Sequence, residues 1–362
     1  MANPLLELQA LGQSIWLDFI SRQLITTGQL KRMIDEDGLR GMTSNPTIFQ
    51  NEIVQSNVYD DAIRVILKAQ PRIAVEDLYD RLTIETIRMA CDVMRPIYDT
   101  TDGFDGMVSL EPSGRQAYDT QTTIADVRRL WKTVDRPNVM IKVPATPPSI
   151  PAIEAVIAEG VNINITLMFS MAHYEAVASA YLKGIMRSPN PRHLVSVASF
   201  FISRIDTAVD RQLEAIGTPD ALALRGKAAI ASATVVYRRF RELFHGDRFA
   251  AAKSRGARVQ RPLWGSTSTK NPSFPDTIYV DNLIGPETIN TLPMPTLDAF
   301  RDHGKVRVTL TEGVQEADEV LAKLAKLGID LSADTEKLQV DGVAAFVDSY
   351  EKSLDALRKR MK

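Results

Sequence analysis

Residues 138–145 read NVMIKVPA, an apolar and β-branched run that holds one lysine, Lys142. Residues 161–168 read VNINITLM and form a second apolar run, with a polar side chain at alternate positions. Between the two runs, residues 150–159 carry apolar side chains at helical spacing. A strand, a helix and a second strand in this order predict two parallel strands joined by a right-handed crossover.

The same unit, a short apolar run followed by a helical stretch, recurs along the chain. The apolar runs predict eight strands, at residues 14–20, 41–45, 106–111, 138–145, 161–168, 194–201, 261–267 and 277–284. Helical spacing of apolar side chains predicts helices at residues 75–98, 122–134, 150–159, 171–186 and 220–244. Eight such units predict a closed (β/α)8 TIM barrel, for which about 250 residues is typical.

The chain has 362 residues, so we expect long βα insertions and a C-terminal helical extension over residues 312–362. Residues 274–275 and 286–295 are predicted to be loops around the last strand, and residues 305–310 fit either an extra strand or a loop. No linker rich in proline, glycine and serine divides the chain. We therefore expect residues 1–362 to form a single domain.

The composition is that of a soluble globular protein, with 44% hydrophobic and 24% charged residues. The net charge of −2 provides no bulk attraction for nucleic acid or for an anionic membrane. The single cysteine, Cys91, excludes an internal disulfide and a cysteine-rich metal site. The N-terminal segment has no signal-peptide pattern, and no uncharged apolar run reaches the ~20 residues that span a bilayer. These features predict a cytoplasmic protein.

Polar side chains interrupt several predicted strands, although strands of a parallel barrel should be nearly continuous apolar runs. Because side chains alternate along a strand, Asn162, Asn164 and Thr166 share one face. In barrel enzymes the active site lies at the carboxyl ends of the strands. Seven polar residues fall at or near such ends: Asp18, Asn45, Glu111, Lys142, Asn164, Thr166 and Ser199. Each alone would suit a cap, a turn or a structural network, but together they predict a site.

Lys142 is the most unusual of these residues because it lies inside an apolar strand. Burial of an ammonium group is costly unless the group is paired or loses its proton. A neutral lysine amine is a nucleophile toward carbonyl carbon and forms Schiff bases. The strand by itself fits equally well a lysine that extends its amine to solvent at the barrel rim.

Basic residues just past the strand ends are candidate phosphate ligands, with ordinary surface solvation as the alternative. They are Arg115, Arg204 and Lys270, and Ser268 lies next to the last of them. The segment 225–261 is also rich in arginine and lysine, and a solvated helix face is favoured there over a nucleic-acid site. No glycine-rich nucleotide motif and no histidine motif of a metal site is present, so we expect neither a cofactor nor a metal.

Five segments resemble the transaldolase family, in the family's order. They are residues 17–53, 105–120, 138–146, 160–170 and 196–206. The motifs KVPAT, NITLMFS and TSNPTIF within them are specific to the family. The stretches TSNPTIFQNEI and VSLEPSG resemble the long bacterial subfamily. The resemblance implies a Schiff-base enzyme on a TIM barrel.

The resemblance also implies a role for each site residue. Lys142 would form the Schiff base, and Asp18 would take the proton of the C4 hydroxyl. Glu111 and Thr166 would hold a catalytic water. The remaining matched residues would bind substrate: Asn45 and Asn164 the dihydroxyacetone hydroxyls, Ser199 the same pocket, and Arg204 the phosphate. Ser268 and Lys270 fall where many members have a second phosphate subsite, and Lys270 stands in place of an arginine.

A transaldolase would move a dihydroxyacetone unit from sedoheptulose 7-phosphate or fructose 6-phosphate to glyceraldehyde 3-phosphate or erythrose 4-phosphate, within the pentose phosphate pathway. Three alternatives remain at this point: a Schiff-base aldolase that releases free dihydroxyacetone, a non-catalytic sugar-phosphate-binding protein, and a nucleic-acid-binding protein. The expected partners are sugar phosphates, without nucleic acid or membrane. The oligomeric state, monomer or homodimer, and the preferred donor are left open by the sequence.

Overall fold

A computed structural model describes residues 3–361. Eight parallel strands close into a barrel in chain order, each paired with the next and the last with the first. The strands are β1 (Gln13–Leu17), β2 (Gly41–Thr43), β3 (Met107–Leu110), β4 (Val139–Pro144), β5 (Ile163–Met168), β6 (Ser196–Phe201), β7 (Arg261–Gly265) and β8 (Thr288–Leu292). The predicted (β/α)8 barrel is confirmed.

Helices surround the barrel. From the N-terminus to β4 they are α1 (Pro4–Ala10), α2 (Arg22–Thr26), α3 (Gln29–Asp37), α4 (Pro46–Gln55), α5 (Asp60–Ala69), α6 (Val75–Thr100) and α7 (Thr120–Val134). Between β4 and β7 they are α8 (Ser149–Ala158), α9 (Met171–Arg187), a 3-10 turn (Pro191–His193), α10 (Ser203–Ile216), α11 (Pro219–Leu222), α12 (Ala228–Phe244) and α13 (Asp247–Ser254). The last four are α14 (Ile278–Asn282), α15 (Met294–His303), α16 (Val314–Lys326) and α17 (Leu331–Arg360).

The first seven predicted strands are confirmed, with ends that differ from the prediction by at most three residues, but the eighth is wrong. Residues 277–284 contain the helix α14, and β8 lies in the predicted loop 286–295. A short apolar run such as TIYVDNLI fits a buried helix as well as a strand. The sequence of β8, TINTL, contains polar residues and is followed by proline, which made it resemble a loop although every residue of it is buried.

The predicted helix 220–244 is in fact two helices, α11 and α12. Gly226, with φ +71°, lies in the left-handed region between them, where a residue with a Cβ is unfavourable. Residues 305–310 form a loop rather than a strand, and the backbone N–H groups of Thr309 and Leu310 donate to the carbonyl of Ile284.

The barrel interior is divided into a lower and an upper part. The lower part, toward the amino ends of the strands, is filled by an apolar cluster. Its members are Trp16, Met107, Met140, Val195, Val197, Leu263 and Ile289. At the amino end of the strands, buried Arg261 pairs with Asp105 at 3.0 Å, and Ser14 Oγ donates to the same carboxylate at 2.8 Å. This packing closes the lower half, so polar side chains at the carboxyl ends face an open upper half.

The helix α17 lies against the carboxyl end of the barrel. It packs on α4, α6, α10 and β5, and Ser349 on it hydrogen-bonds Thr47 at 2.9 Å. Over residues 3–361, no helix combines the length and the apolar character needed to cross a bilayer.

Candidate active site

A cavity of about 410 Å³ opens at the carboxyl end of the barrel. It is lined by seven of the predicted site residues: Asp18, Asn45, Lys142, Ser199, Arg204, Ser268 and Lys270. The other three, Glu111, Asn164 and Thr166, are buried beside them on β5 and directly after β3. The barrel therefore gathers residues separated by up to 252 positions, from Asp18 to Lys270, in one place.

Lys142 and Glu111 form a buried ion pair at the base of the site. Lys142 Nζ lies 2.5 Å from Glu111 Oε2, and each side chain is only 5% exposed. The amine also donates to the backbone carbonyl of Ser44 at 3.1 Å. This lysine does not extend to solvent at the rim, so its amine faces a carboxylate inside the barrel.

Burial raises the pKa of Glu111, and the nearby ammonium of Lys142 only partly opposes this effect. A carboxylate with a raised pKa, in contact with an ammonium group, is well suited to accept its proton. The amine and the carboxylate are therefore placed for direct proton transfer between them.

Asp18 follows β1 and is held by a neighbouring strand. Thr43 Oγ1 donates to Asp18 Oδ1 at 2.7 Å, and Thr43 Oγ1 also lies 2.8 Å from Thr291 Oγ1. Burial raises the pKa of Asp18, against the opposing effects of Lys142 and of the Thr43 hydrogen bond. A carboxylate whose pKa is raised by burial is a better proton acceptor than an exposed one, which suits a general base.

The asparagine and serine side chains form a hydrogen-bonded wall. Ser199 Oγ donates to Asn164 Oδ1 at 2.6 Å, and Asn164 Nδ2 donates to Ser109 Oγ at 3.0 Å. Asn45 caps α4 by accepting from the Ile48 N–H at 3.0 Å, which leaves its amide N–H groups for a ligand in the cavity. Asn45 is thus both the cap expected of a strand-end asparagine and a lining residue.

Thr166 is buried on β5, next to Pro144 of the lysine strand. Its hydroxyl has no hydrogen-bond partner among the residues that the structure describes. A buried hydroxyl without a protein partner usually binds an ordered water.

Two cations stand at the outer side of the cavity. Arg204, in the first turn of α10, stacks over Phe201 with 5.5 Å from Cζ to the ring centroid. Lys270 Nζ donates to Ser268 Oγ at 2.7 Å. Burial lowers the pKa of each of these cations, because the cavity partly removes them from water. An anionic ligand in the cavity would stabilise both charges.

The family model described as Transaldolase/Fructose-6-phosphate aldolase matches residues 15–357. The chain belongs to this family. A protein named transaldolase from Parafrankia sp. (strain EAN1pec) is 45% identical, over 100% of this chain and 99% of the relative. Those from Thiobacillus denitrificans and Thermobifida fusca, also named transaldolase, are 47% and 43% identical, over 95% and 100% of this chain and 97% and 99% of the relatives.

Arg115 does not line the cavity that contains most of the residues matched through the family resemblance. Its Nε donates to Glu351 on α17 at 2.8 Å, and its guanidinium lies 5.0 Å from the ring centroid of Tyr350. The pairing of Arg115 with Glu351 favours the alternative of a surface charge over a phosphate ligand at this position.

The basic segment 225–261 uses much of its charge within the fold. Arg238 pairs with Asp318 at 2.7 Å, and Arg239 pairs with Glu175 and Glu242 at 2.8 Å each. These contacts favour the interpretation of this segment as a solvated helix face.

Thr43 and residues of α17 were missed by sequence reasoning. The hydroxyl of Thr43 could have been found, because it lies two positions before Asn45 and therefore on the same face of the strand. Phe346 of α17, which lines the cavity, carries no such signal because it reaches the site from the far end of the chain.

Asp206 anchors the helix that carries Arg204. Its carboxylate accepts from the Ala229 N–H at 2.8 Å and from the Tyr279 hydroxyl at 2.9 Å, and burial raises its pKa to about 7. An acid whose pKa is higher in the folded state stabilises the fold below its unfolded value, and this stabilisation is lost as pH rises through the folded value.

We therefore expect wild type to lose stability between pH 4 and pH 7 relative to Asp206→Asn, by roughly 1.4 kcal/mol per pKa unit of the shift at most. Urea unfolding of both proteins across this range measures the difference. An identical pH dependence in the two proteins would contradict the assignment.

Proposed function

We propose that the chain is a transaldolase that carries a dihydroxyacetone unit as a Schiff base on Lys142. The main observation in support is the buried contact of 2.5 Å between Lys142 Nζ and Glu111 Oε2. Lys142 lines the same cavity as Asp18 and Arg204. Family membership and full-length relatives named transaldolase support the same activity. The residue roles below are part of this proposal.

In the first step Glu111 takes the proton of the Lys142 ammonium, and the neutral amine attacks the C2 carbonyl of a ketose phosphate. A water held by Thr166 and Glu111 relays protons while the carbinolamine loses its hydroxyl as water. The product is an iminium ion, which withdraws electrons from the neighbouring carbons.

In the second step Asp18 removes the proton of the C4 hydroxyl. The C3–C4 bond breaks, its electron pair moves into the iminium, and an aldehyde phosphate leaves. The three-carbon enamine stays bound to Lys142. Asn45 and Asn164 hold its hydroxyls, and Ser199 lines the same pocket. Attack on a second aldehyde phosphate reverses these steps, so ping-pong kinetics are expected.

The substrates proposed are sedoheptulose 7-phosphate or fructose 6-phosphate as donor and glyceraldehyde 3-phosphate or erythrose 4-phosphate as acceptor, in the cytoplasmic pentose phosphate pathway. Arg204, Ser268 and Lys270 would hold the phosphate. We further propose that residues 1–362 act as one domain, as a monomer or homodimer, and that the extension 312–362 completes the site. No cofactor is required by these steps.

Replacement of Lys270 by alanine is expected to raise the KM for phosphorylated substrates up to about tenfold, because a charge-assisted hydrogen bond contributes about 1.5–3 kcal/mol and this one is partly exposed. The kcat should change little, since phosphate binding is equal in ground and transition states. Lys270→Arg should restore tight binding through a bidentate contact. Steady-state kinetics, with the exposed Lys253→Ala as control, measure both effects. A drop in kcat alone would contradict the phosphate role.

The Schiff base is tested by sodium borohydride reduction in the presence of fructose 6-phosphate, followed by peptide mass spectrometry. We expect a reduced three-carbon adduct on Lys142. If no lysine of the folded protein is labelled at saturating ketose, the proposal fails.

Product analysis separates transfer from simple cleavage. With fructose 6-phosphate and erythrose 4-phosphate, a transaldolase forms sedoheptulose 7-phosphate and little free dihydroxyacetone. Free dihydroxyacetone as the main product would instead indicate an aldolase, the other activity in the family description.

A further inference from the structure

One face of α17 points into the carboxyl end of the barrel. Gln339, Gly342, Val343 and Phe346 are spaced at i, i+3, i+4 and i+7, which places them on one side of a helix. Val343 and Phe346 line a small cavity behind Lys142 and Glu111, and Phe346 also lines the open cavity in front. The C-terminal helix therefore forms one wall of the site.

Gln339 connects this wall to the two strands that carry the chemistry. Its side chain is buried, with 3% exposure. Its Nε2 donates to the carbonyl of Ala145 at 3.1 Å and to that of Leu167 at 3.0 Å. Ala145 lies three residues after Lys142, and Leu167 directly follows Thr166. One amide group, with its two N–H donors, thus bridges the ends of β4 and β5.

The backbone at Leu167 needs such support. Leu167 has φ +56°, a left-handed conformation that is unfavourable for a residue with a Cβ. The pairing of β5 with β6 also shifts register between Ile165 and Met168. Thr166 is therefore held by a regular ladder only on the β4 side, where its carbonyl accepts from the Ala145 N–H at 2.8 Å.

The approach of α17 to this point is close. A Cβ on Gly342 would lie 2.8 Å from Leu167 Cδ2 and 3.5 Å from Arg204 Nη1. Glycine at this position lets the helix come near enough for the Gln339 amide to reach both carbonyls.

We infer that Gln339 is a positioning residue for the Schiff-base steps: its amide holds the ends of β4 and β5 so that the Thr166 hydroxyl stays beside the Lys142–Glu111 pair. The inference rests on the proposed function. Gln339 acts on the water-dependent steps, which are carbinolamine dehydration and its reverse. These steps need the Thr166 hydroxyl, the Glu111 carboxylate and the Lys142 amine in one geometry. Phosphate binding, on α10 and after β7, is not involved.

The test compares Gln339→Leu and Gln339→Glu with wild type. Leucine is similar in size but has no N–H donor, so the adduct trapped by borohydride in a single turnover should form about 10- to 100-fold more slowly, the cost of a small misplacement of reacting groups. The KM for fructose 6-phosphate should stay near the wild-type value. If Gln339 had a purely structural role, Gln339→Leu would instead lower thermal stability and change both the trapping rate and the KM for fructose 6-phosphate.

Gln339→Glu provides a pH signature. An ionised glutamate has no proton to donate, whereas a protonated one can donate to one of the two carbonyls. The trapping rate of this variant, relative to wild type, should therefore recover as pH falls. The same ratio for Gln339→Leu should not depend on pH.

Leu357→Ala is the matched control, because Leu357 is fully buried on the same helix, about five turns away. It should lower thermal stability but leave the trapping rate unchanged at a temperature where the protein is folded. Trapping by Gln339→Leu at the wild-type rate would overturn the inference, as would an equal loss in Leu357→Ala. Absence of any adduct in wild type would instead refute the proposed function.

Discussion

Replacement of Lys142 by methionine is expected to abolish both the borohydride-trapped adduct and sugar-phosphate turnover. Methionine retains much of the apolar length of the lysine but has no amine, so the covalent route is closed. Loss of a covalent nucleophile lowers kcat on the order of 10⁴-fold or more. The variant should still fold, because the buried Glu111, deprived of its partner, can remain neutral by keeping its proton. Circular dichroism and a coupled kinetic assay measure fold and rate.

The control for this prediction is Lys132→Met, at an exposed position in the last turn of α7. It should retain the adduct and the full rate. A folded Lys142→Met protein that still forms a reduced adduct, on whichever lysine, would show that the nucleophile has been misassigned.

Replacement of Asp18 by asparagine should separate Schiff-base formation from bond cleavage. Asparagine has nearly the same shape and can still accept the hydrogen bond from Thr43, but it cannot take the C4 hydroxyl proton. Removal of a general base lowers rates by about 10²- to 10⁴-fold. With fructose 6-phosphate, the adduct trapped on Lys142 should therefore be the intact six-carbon sugar instead of the three-carbon fragment, and mass spectrometry distinguishes the two.

Asp61→Asn is a suitable control, because its side chain is 92% exposed on α5. It should give the three-carbon adduct at the wild-type rate. Wild-type cleavage in Asp18→Asn would show that another group takes the proton, and loss of all adducts would place Asp18 in the earlier, amine-dependent steps.

The sequence contained enough information for most of the fold. Seven strands were predicted from short apolar runs, since strands of a parallel barrel are covered on both faces and must be apolar outside the site. The eighth prediction failed because β8 buries polar residues such as Asn290, whereas the apolar residues 278–280 belong to a helix. Burial alone does not determine which backbone conformation an apolar segment adopts.

The sequence by itself also predicted most of the polar residues that line the cavity, because polar side chains at alternate positions of a strand share a face and because strand ends of a barrel meet at one edge. Only the tertiary structure decided how these residues act on each other. Lys142 could have extended to solvent, and its contact with Glu111 depends on the pairing of two separate strands. The contacts of Arg115 and Gln339 depend on where α17 packs, and they join residues 172 to 236 positions apart in the chain. No local periodicity encodes such contacts, since they arise when distant elements fill the same space.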